Sequence, residues 1–254
     1  MKLSAIIITK NEEDVIADCI KSVAFADEII VIDSGSTDKT AALAKKQGAH
    51  VVDHPFKNFA DQRTFGMKQA KGDWILYIDA DERVSEELRN GIERITNYEL
   101  RITEYDAYRI QRKNYYLGEH EWPVIEKHVR LFKRKSLTGW RGDIHESPTV
   151  EGKIGELTGY LVHYTHRNLS DMVEKTLSWS DIEVEQLMRA HHPHMVPWRF
   201  IRIMITKFVD SYIKQGGWKI GTAGLIESIY QAYSYFIIYA KLWERQSQRS
   251  KLSN

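Results

Sequence analysis

The sequence predicts an α/β fold with a mostly parallel central sheet and a helical C-terminal extension. Three observations carry this prediction. Short apolar runs rich in β-branched residues alternate with helix-like segments in the first 100 residues. Acidic or hydroxyl side chains follow several of these runs, and helix formers dominate from Ser170 onward. Strands that alternate with helices pair in parallel and are covered by those helices.

The first half of the chain supplies the parallel strands. Apolar runs predict strands at 3–8, 29–32, 50–53 and 74–78, and helix-like segments lie near 13–22, 38–47 and 59–70. Ser85 is predicted to cap a further helix, since Glu86 and Glu87 follow it in a first turn where the helix dipole favours anions. Further strands are predicted at 107–113, 127–134 and 161–166.

The last third is predicted to be helical. Ser170 can cap a helix that reaches about Ala190, and Pro197 suits the first turn of a second helix that ends before Gly216. A third helix is expected from about 222 to 245. We therefore expect a catalytic domain over 1–167, divided near residue 100, and a helical region over 168–254. No apolar stretch is long enough for a membrane-spanning helix, and the single cysteine, Cys19, excludes an internal disulfide.

Asp79-Ala80-Asp81 is the strongest chemical signal. It follows the apolar run 74–78, at the carboxyl end of a predicted strand, where open α/β sheets bind ligands. Residues two apart in an extended chain point the same way, so we expect the two carboxylates to converge. They would repel each other unless a cation such as Mg²⁺ or Mn²⁺ lay between them and the substrate phosphates. The alternative is a solvated acidic turn.

Four sequence blocks, in order, resemble the family 2 glycosyltransferases. They are Ile6-Ile7-Ile8-Thr9-Lys10-Asn11-Glu12-Glu13, then Val31-Ile32-Asp33-Ser34-Gly35-Ser36-Thr37-Asp38, then Gln62-Arg63 with Ala70-Lys71-Gly72-Asp73, and Ile78-Asp79-Ala80-Asp81-Glu82. The resemblance implies the GT-A nucleotide-sugar fold. The glycine patterns of dinucleotide oxidoreductases and P-loop NTPases are absent from the sequence.

The resemblance implies a site for a nucleoside-diphosphate sugar. Thr9 and Glu12 would line the base and ribose pocket, and Asp33 would accept a hydrogen bond from the base imide. Arg63 would steady the diphosphate or the base edge; its alternative is a surface helix residue. These assignments come from the family and agree with the chemistry of the side chains.

The resemblance also implies a metal site and a base. Asp81 would be the main ligand of Mg²⁺ or Mn²⁺, Asp79 would contact the ribose or the metal, and His163 would lie near the metal or the diphosphate. An inverting transfer needs a carboxylate that takes the proton of the acceptor hydroxyl. Glu146 is the first choice and Asp143 the second; each could instead be a salt-bridged loop acid. A structural histidine is the alternative for His163.

The C-terminal region is basic and aromatic. Residues 198–254 hold nine Lys or Arg and three Asp or Glu, a net charge of +6 in a chain whose net charge is +1. This composition is typical of a helix at an anionic membrane surface. The alternative is that the aromatic side chains pack onto the catalytic domain or a second subunit in a homodimer. A nucleic-acid partner is not expected, because the first half of the chain already carries the predicted small-molecule site.

Over the whole chain, the sequence is similar to bacterial lipopolysaccharide core-biosynthesis β-1,4-glucosyltransferases. This resemblance implies transfer of glucose to a lipid-linked saccharide, the lipopolysaccharide inner core. It also implies a cytoplasmic enzyme, peripheral on the inner face of the inner membrane. Two alternatives stay open: a related nucleotidyl or phosphosugar transferase, and a non-catalytic sugar-nucleotide-binding adaptor at the membrane.

Overall fold

The protein consists of two compact units. The structure, a computed structural model, describes residues 2–96, 104–142 and 146–252. One unit comprises Met1–Lys113 with Ile125–His163, and the other comprises Asn114–Val124 with Tyr164–Asn254. The first unit carries every side chain that the sequence predicts to act in catalysis or binding, apart from Asp143, which lies outside the described residues.

Strands occupy much of the first two thirds of the chain. They are β1 (Leu3–Thr9), β2 (Glu28–Asp33), β3 (His50–Asp53), β4 (Trp74–Asp79), β5 (Glu82–Val84), β6 (Ala107–Tyr116), β7 (His120–Lys133), β8 (Leu137–Arg141), β9 (Ser147–Val150) and β10 (Ile154–Tyr164). Within the described residues, eight of them form one sheet in the order β3-β2-β1-β4-β7-β6-β10-β5, and β8 pairs with β9. The short strands β5, β8 and β9 were not predicted from the sequence.

The predicted α/β fold class is confirmed. Strands β1 to β4 pair in parallel, whereas β7 pairs antiparallel to β4 and β5 antiparallel to β10. The parallel strands follow one another through helices α1 (Ile16–Ser22), α2 (Thr40–Lys46) and α3 (Phe59–Gln69). The carboxyl ends of parallel strands lie at the same edge of a sheet, so Thr9, Asp33 and Asp79 come to one edge.

The core fixes the position of α3 against the sheet. Ile6, Ile7, Leu76 and Ile78 are fully buried in β1 and β4, because both faces of the parallel strands are covered. Gly66 lets α3 approach the sheet closely, since a Cβ at this position would lie 2.7 Å from the Ile6 side chain. Arg63 lies one turn earlier on α3, three residues before Gly66, and is also buried.

Helix α4 (Glu86–Thr96) begins where the sequence predicts, and the Ser85 hydroxyl accepts a hydrogen bond of 3.3 Å from the amide of Leu88. The buried residues of this helix are Leu88, Ile92 and Thr96. They recur at the spacing of one helix face, so this side of α4 packs on the core.

The second unit is mostly helical, as predicted. Its helices are α5 (Leu169–Arg189), α6 (Pro197–Val209) and α7 (Gly221–Leu252). Asn168, rather than Ser170, caps α5, because its side chain accepts a hydrogen bond from the Asp171 amide. Val184, Met195, Ile238 and Leu242 form a buried cluster that joins α5 and α7. No helix in the described part of the chain is long and apolar enough to cross a bilayer.

Candidate functional site

The loops after β1 and β2 are hydrogen-bonded to each other at the sheet edge. Asn11, which has a φ of 53°, accepts a hydrogen bond of 2.8 Å from the Thr37 amide through Oδ1. Glu13 accepts one of 2.9 Å from the Lys39 amide, and the Glu12 amide donates one of 2.7 Å to the Thr40 hydroxyl. Asn tolerates positive φ better than most residues. These bonds hold the edges of the predicted nucleotide pocket in place before a ligand binds.

Thr9 and Asp33 lie side by side at this edge. They face each other in the β1–β2 register, and both are buried. The Asp33 carboxylate accepts hydrogen bonds from the Ser36 amide at 2.9 Å and the Ser36 hydroxyl at 2.5 Å. The Thr9 hydroxyl is buried and has no hydrogen-bond partner within the described residues. A buried hydroxyl without a partner is costly, so this atom is suited to meet a polar group of a ligand.

Asp79 is held between two buried arginines. One carboxylate oxygen accepts a hydrogen bond of 2.8 Å from Arg63 Nη2, and the other accepts one of 2.8 Å from Arg130 Nη2. Burial alone would raise the pKa of Asp79, but the charges of Arg130 and Arg63 outweigh burial and hold that pKa well below its usual range. Asp79 is therefore ionised at neutral pH, and both of its oxygens are already engaged.

Arg130 belongs to an ionic network that links Asp79 to Glu82, Arg112 and Glu126. Its guanidinium lies 3.5 Å from Glu82, whose side chain is fully buried and also accepts a 3.2 Å hydrogen bond from Arg112. Arg112 in turn binds Glu126. Glu82 also accepts a hydrogen bond of 2.9 Å from the Asp79 backbone amide. The network thus holds both the backbone and the side chain of Asp79.

Asp81 has a different partner from Asp79. Strand β4 ends at Asp79 and the chain turns into β5, so the alternation of an extended strand does not continue to Asp81. The Asp81 carboxylate lies 3.3 Å from His163 Nε2. The Asp81 side chain is 15% exposed and the His163 side chain is 14% exposed. Burial lowers the pKa of His163, but the Asp81 carboxylate raises it more, so the pKa lies above its ordinary value.

Glu146 is joined to Asp79 through Arg63. Arg63 Nε donates a hydrogen bond of 2.8 Å to Glu146 Oε1, while Nη2 of the same guanidinium binds Asp79. The guanidinium carbon lies 5.1 Å from the Trp140 ring centroid, and Tyr77 Oη donates a hydrogen bond to the Arg63 carbonyl. Arg63 is therefore not a surface helix residue. It is buried and bridges two other predicted site residues, Asp79 and Glu146.

Sequence reasoning missed the roles of Arg130, Arg112 and Glu82. A signal was present for Arg130, which stands in the apolar run Val129-Arg130-Leu131-Phe132. A charge inside a buried strand is costly unless it is paired, so its position predicts a partner but does not identify it. Glu12, another predicted site residue, lies in the loop between β1 and α1, where its backbone carbonyl accepts a hydrogen bond from the Ile16 amide.

The described residues contain no cluster of three His, Cys, Asp or Glu side chains arranged to hold a metal. The Asp81–His163 pair nevertheless supplies one carboxylate and one imidazole, donors that suit Mn²⁺, in a partly open position. Water and substrate phosphates commonly complete the coordination of such ions. The donor set thus fits a divalent ion shared with a phosphate ligand.

Comparisons with known proteins show which family the chain resembles over its length. The model of the family described as "Glycosyl transferase family 2" matches residues 4–149. LpsC of Rhizobium meliloti, named a lipopolysaccharide core biosynthesis glycosyltransferase, is 30% identical over 99% of this chain and 95% of its own length. A glycosyltransferase of Rickettsia typhi, named as uncharacterised, is 32% identical over 96% of this chain and 87% of its own length.

A solved structure with a similar chain course is that of Staphylococcus aureus TarS, residues 1–349, in complex with UDP-GlcNAc. It is 15% identical, with a TM-score of 0.48, over 98% of this chain and 92% of that chain.

Proposed function

The chain belongs to glycosyl transferase family 2, and we propose that it moves glucose from a nucleoside-diphosphate sugar to a lipid-linked saccharide, the lipopolysaccharide inner core. Sugar transfer is the activity of the family. The finer assignment is supported by the similarity to LpsC, which extends over nearly the full length of both chains. In this proposal residues 1–167 form the catalytic domain and 168–254 a helical region at the membrane.

The donor nucleotide would bind at the carboxyl ends of β1 and β2. The buried Thr9 hydroxyl and the Asp33 carboxylate are adjacent there, so they can meet the polar edge of a base. Glu12 would close the ribose side of the same pocket. Because the two loops are already hydrogen-bonded to each other, little backbone ordering remains to oppose binding.

Asp81 and His163 would hold a divalent ion, Mg²⁺ or Mn²⁺. When bound, such an ion offsets negative charge on the diphosphate. Asp79 contributes differently, because its carboxylate is committed to Arg63 and Arg130. Its role in the proposal is to orient Arg63 towards the diphosphate, and a contact of Asp79 with the ion or the ribose would require one of these hydrogen bonds to be given up.

Glu146 would act as the catalytic base. The acceptor oxygen bonds to the anomeric carbon as the bond from that carbon to the diphosphate oxygen breaks, and the hydroxyl proton passes to the carboxylate. Arg63 occupies Glu146 Oε1, so Oε2 is the oxygen that would meet the hydroxyl. Attack from the face opposite the leaving group inverts the anomeric configuration. Asp143 remains the second choice for the base.

The observation that carries this proposal is the bridge formed by Arg63. One guanidinium binds Asp79, the first acid of the Asp-Ala-Asp motif, and Glu146, which lies 83 residues from Arg63 in sequence. A bridge of this kind brings the proposed base to the carboxyl end of β4. In the proposal Arg63 would also supply a buried cation to the leaving diphosphate, where charge develops.

The enzyme would work as a peripheral protein on the inner face of the bacterial inner membrane. A lipid-linked acceptor stays in the bilayer, so the enzyme must come to it. The basic, aromatic composition of residues 198–254 supports such an arrangement. The alternative is that the aromatic side chains of this region form the interface of a homodimer.

A thermal-shift screen of nucleoside-diphosphate sugars, with and without Mn²⁺, tests the donor and metal assignments together. A ligand at about 100 times its dissociation constant adds about 2.7 kcal/mol to the free energy of unfolding. We expect one donor to raise the melting temperature, and Mn²⁺ to raise it further. Asp81→Ala should fold normally and lose only the Mn²⁺-dependent increment. An increment that survives in Asp81→Ala would show that this residue is no metal ligand.

A further inference from the structure

Helix α6 leaves a row of large apolar side chains uncovered. Trp198, Ile201 and Ile205 are 57%, 63% and 59% exposed. They recur at intervals of three and four residues along Pro197–Val209, so they lie on one side of the helix. Among the described residues of α6 none is fully buried. Large apolar side chains left exposed along one side of a helix are typical of an interaction site.

The other side of α6 anchors the helix within its unit. Phe200 packs against the buried cluster of Val184, Met195, Ile238 and Leu242, and its ring centroid lies 5.9 Å from that of Phe236. The helix is therefore held by one face and presents the opposite face outward. The exposed row does not come from a helix that is detached from the rest of the unit.

Cations border the exposed apolar side chains. The segment 197–219 holds five Lys or Arg and one Asp, a net charge of +4. The Arg202 guanidinium carbon lies 5.3 Å from the Trp198 ring centroid, and Lys219 Nζ lies 5.7 Å from that of Trp218, which is 55% exposed. Tryptophan and long cationic side chains are the residues that settle at the boundary between lipid headgroups and acyl chains.

Helix α5 offers an internal comparison. Leu169, Val173 and Leu177 are also exposed and follow one another at intervals of four residues. This helix, however, holds five Asp or Glu and two Lys or Arg over Leu169–Arg189, a net charge of −3. An anionic surface would attract α6 and repel α5. The two helices expose apolar rows to a similar extent, and their net charge distinguishes which of them suits an anionic membrane.

We propose that α6 lies in the plane of an anionic bilayer and inserts its exposed row, which we call the α6 face, into the headgroup boundary. The α6 face consists of Trp198, Ile201, Met204 and Ile205. The inference rests on the proposed membrane-borne acceptor and narrows the membrane contact from the whole C-terminal region to one helix. Lys241 and Arg245 of α7 are not part of it, because they bind Asp181 at 3.0 Å and 3.1 Å.

Vesicle flotation of the full chain tests this proposal. The vesicles are phosphatidylglycerol with phosphatidylcholine in equal parts, and phosphatidylcholine alone. We expect binding to the anionic vesicles that weakens as salt rises, because salt screens the attraction of the cations. Ile201→Ser/Ile205→Ser keeps the charge and should lower the partition coefficient at least about tenfold. The matched control Leu169→Ser/Leu177→Ser on α5 should bind as the unaltered chain does.

Other outcomes would overturn the proposal. It is wrong if the α6 variant, with an unchanged melting temperature, floats like the unaltered chain, or if the α5 variant loses binding equally. It is also wrong if the unaltered chain fails to float and light scattering shows a dimer that the α6 variant dissociates; a second copy then covers the face. Asp81→Ala, which removes a proposed metal ligand, should still float, so loss of sugar transfer and loss of docking are separable.

Discussion

Removal of the Arg130 guanidinium is expected to destabilise the sheet-containing unit strongly. Arg130→Met keeps much of the side-chain length and removes the charge. The substitution leaves Asp79 with Arg63 as its remaining arginine and takes one of two arginines from the fully buried Glu82. Breaking a buried ion pair by removing one partner typically costs about 3–5 kcal/mol, because the remaining charge is left in a medium of low polarity.

The magnitude can be read from a thermal unfolding experiment. At about 2–4 °C per kcal/mol for a unit of 150–250 residues, the loss corresponds to a fall of roughly 6–20 °C in the melting temperature. Lys127→Met is the matched control, since Lys127 is on the same strand and binds Glu156 at 3.0 Å with both side chains about half exposed. An exposed pair of this kind contributes about 1 kcal/mol or less.

A double variant separates the ionic effect from general disturbance of the strand. In Arg130→Met/Glu82→Gln the carboxylate that has lost one of its two arginines is also neutralised, so part of the loss should be recovered, with an interaction energy of about 1 kcal/mol or more. If Arg130→Met cost no more than Lys127→Met, the buried ion pairs of Arg130 would contribute no more to stability than an exposed pair. If the loss in the double variant equals the sum of the losses in Arg130→Met and Glu82→Gln measured singly, Glu82 and Arg130 are not coupled.

Three further results are expected. Asn168→Ala should lower the unfolding free energy by about 1 kcal/mol through loss of the α5 cap, measured by denaturant titration, whereas Asn168→Ser should restore most of it. Burial raises the pKa of Glu28, but hydrogen bonds from Ser4 and the amides of Lys71 and Gly72 outweigh burial and hold that pKa below its ordinary value. The stability that this carboxylate contributes is present above its unfolded pKa of about 4.3 and is lost as pH falls through the folded pKa. Glu28→Gln should therefore reduce the dependence of the unfolding free energy on pH in the acid range. An unchanged dependence would contradict this prediction. Thr9→Val should weaken nucleotide binding in calorimetry without lowering the melting temperature, because the lost hydroxyl has no partner in the protein; an unchanged affinity would contradict its role in the pocket.

The parallel half of the fold could be predicted from local pattern. Each apolar run of the first 80 residues became a strand, and α3 was placed correctly to within one residue at Phe59–Gln69. These elements follow from short-range alternation and from the burial of both sheet faces. The cap of α5 was misplaced by two residues, since Asn168 and Ser170 are both good capping residues and local sequence does not choose between them.

The partners of the charged site residues could be predicted only in part. The family blocks pointed to Arg63, Asp79 and Asp81, and the expected base pointed to Glu146, but no local pattern connects Arg63 to Glu146 across 83 residues. The convergence of Asp79 and Asp81 assumed an extended chain, whereas β4 ends at Asp79. Each acid therefore finds its own partner, and the metal assignment remains a prediction. Long-range ion pairs depend on strand order, which a single sequence does not specify.

The anomeric configuration of the product tests inverting sugar transfer most directly. The enzyme would be incubated with an α-linked nucleoside-diphosphate glucose and an inner-core acceptor, and the new linkage read from its proton coupling in an NMR spectrum. We expect a β-linked product, and we expect Glu146→Gln to lose transfer while donor binding stays intact. If Asp143→Asn abolishes transfer and Glu146→Gln does not, the base is Asp143. An α-linked product, or no sugar transfer with any donor that binds, would contradict inverting sugar transfer by this protein.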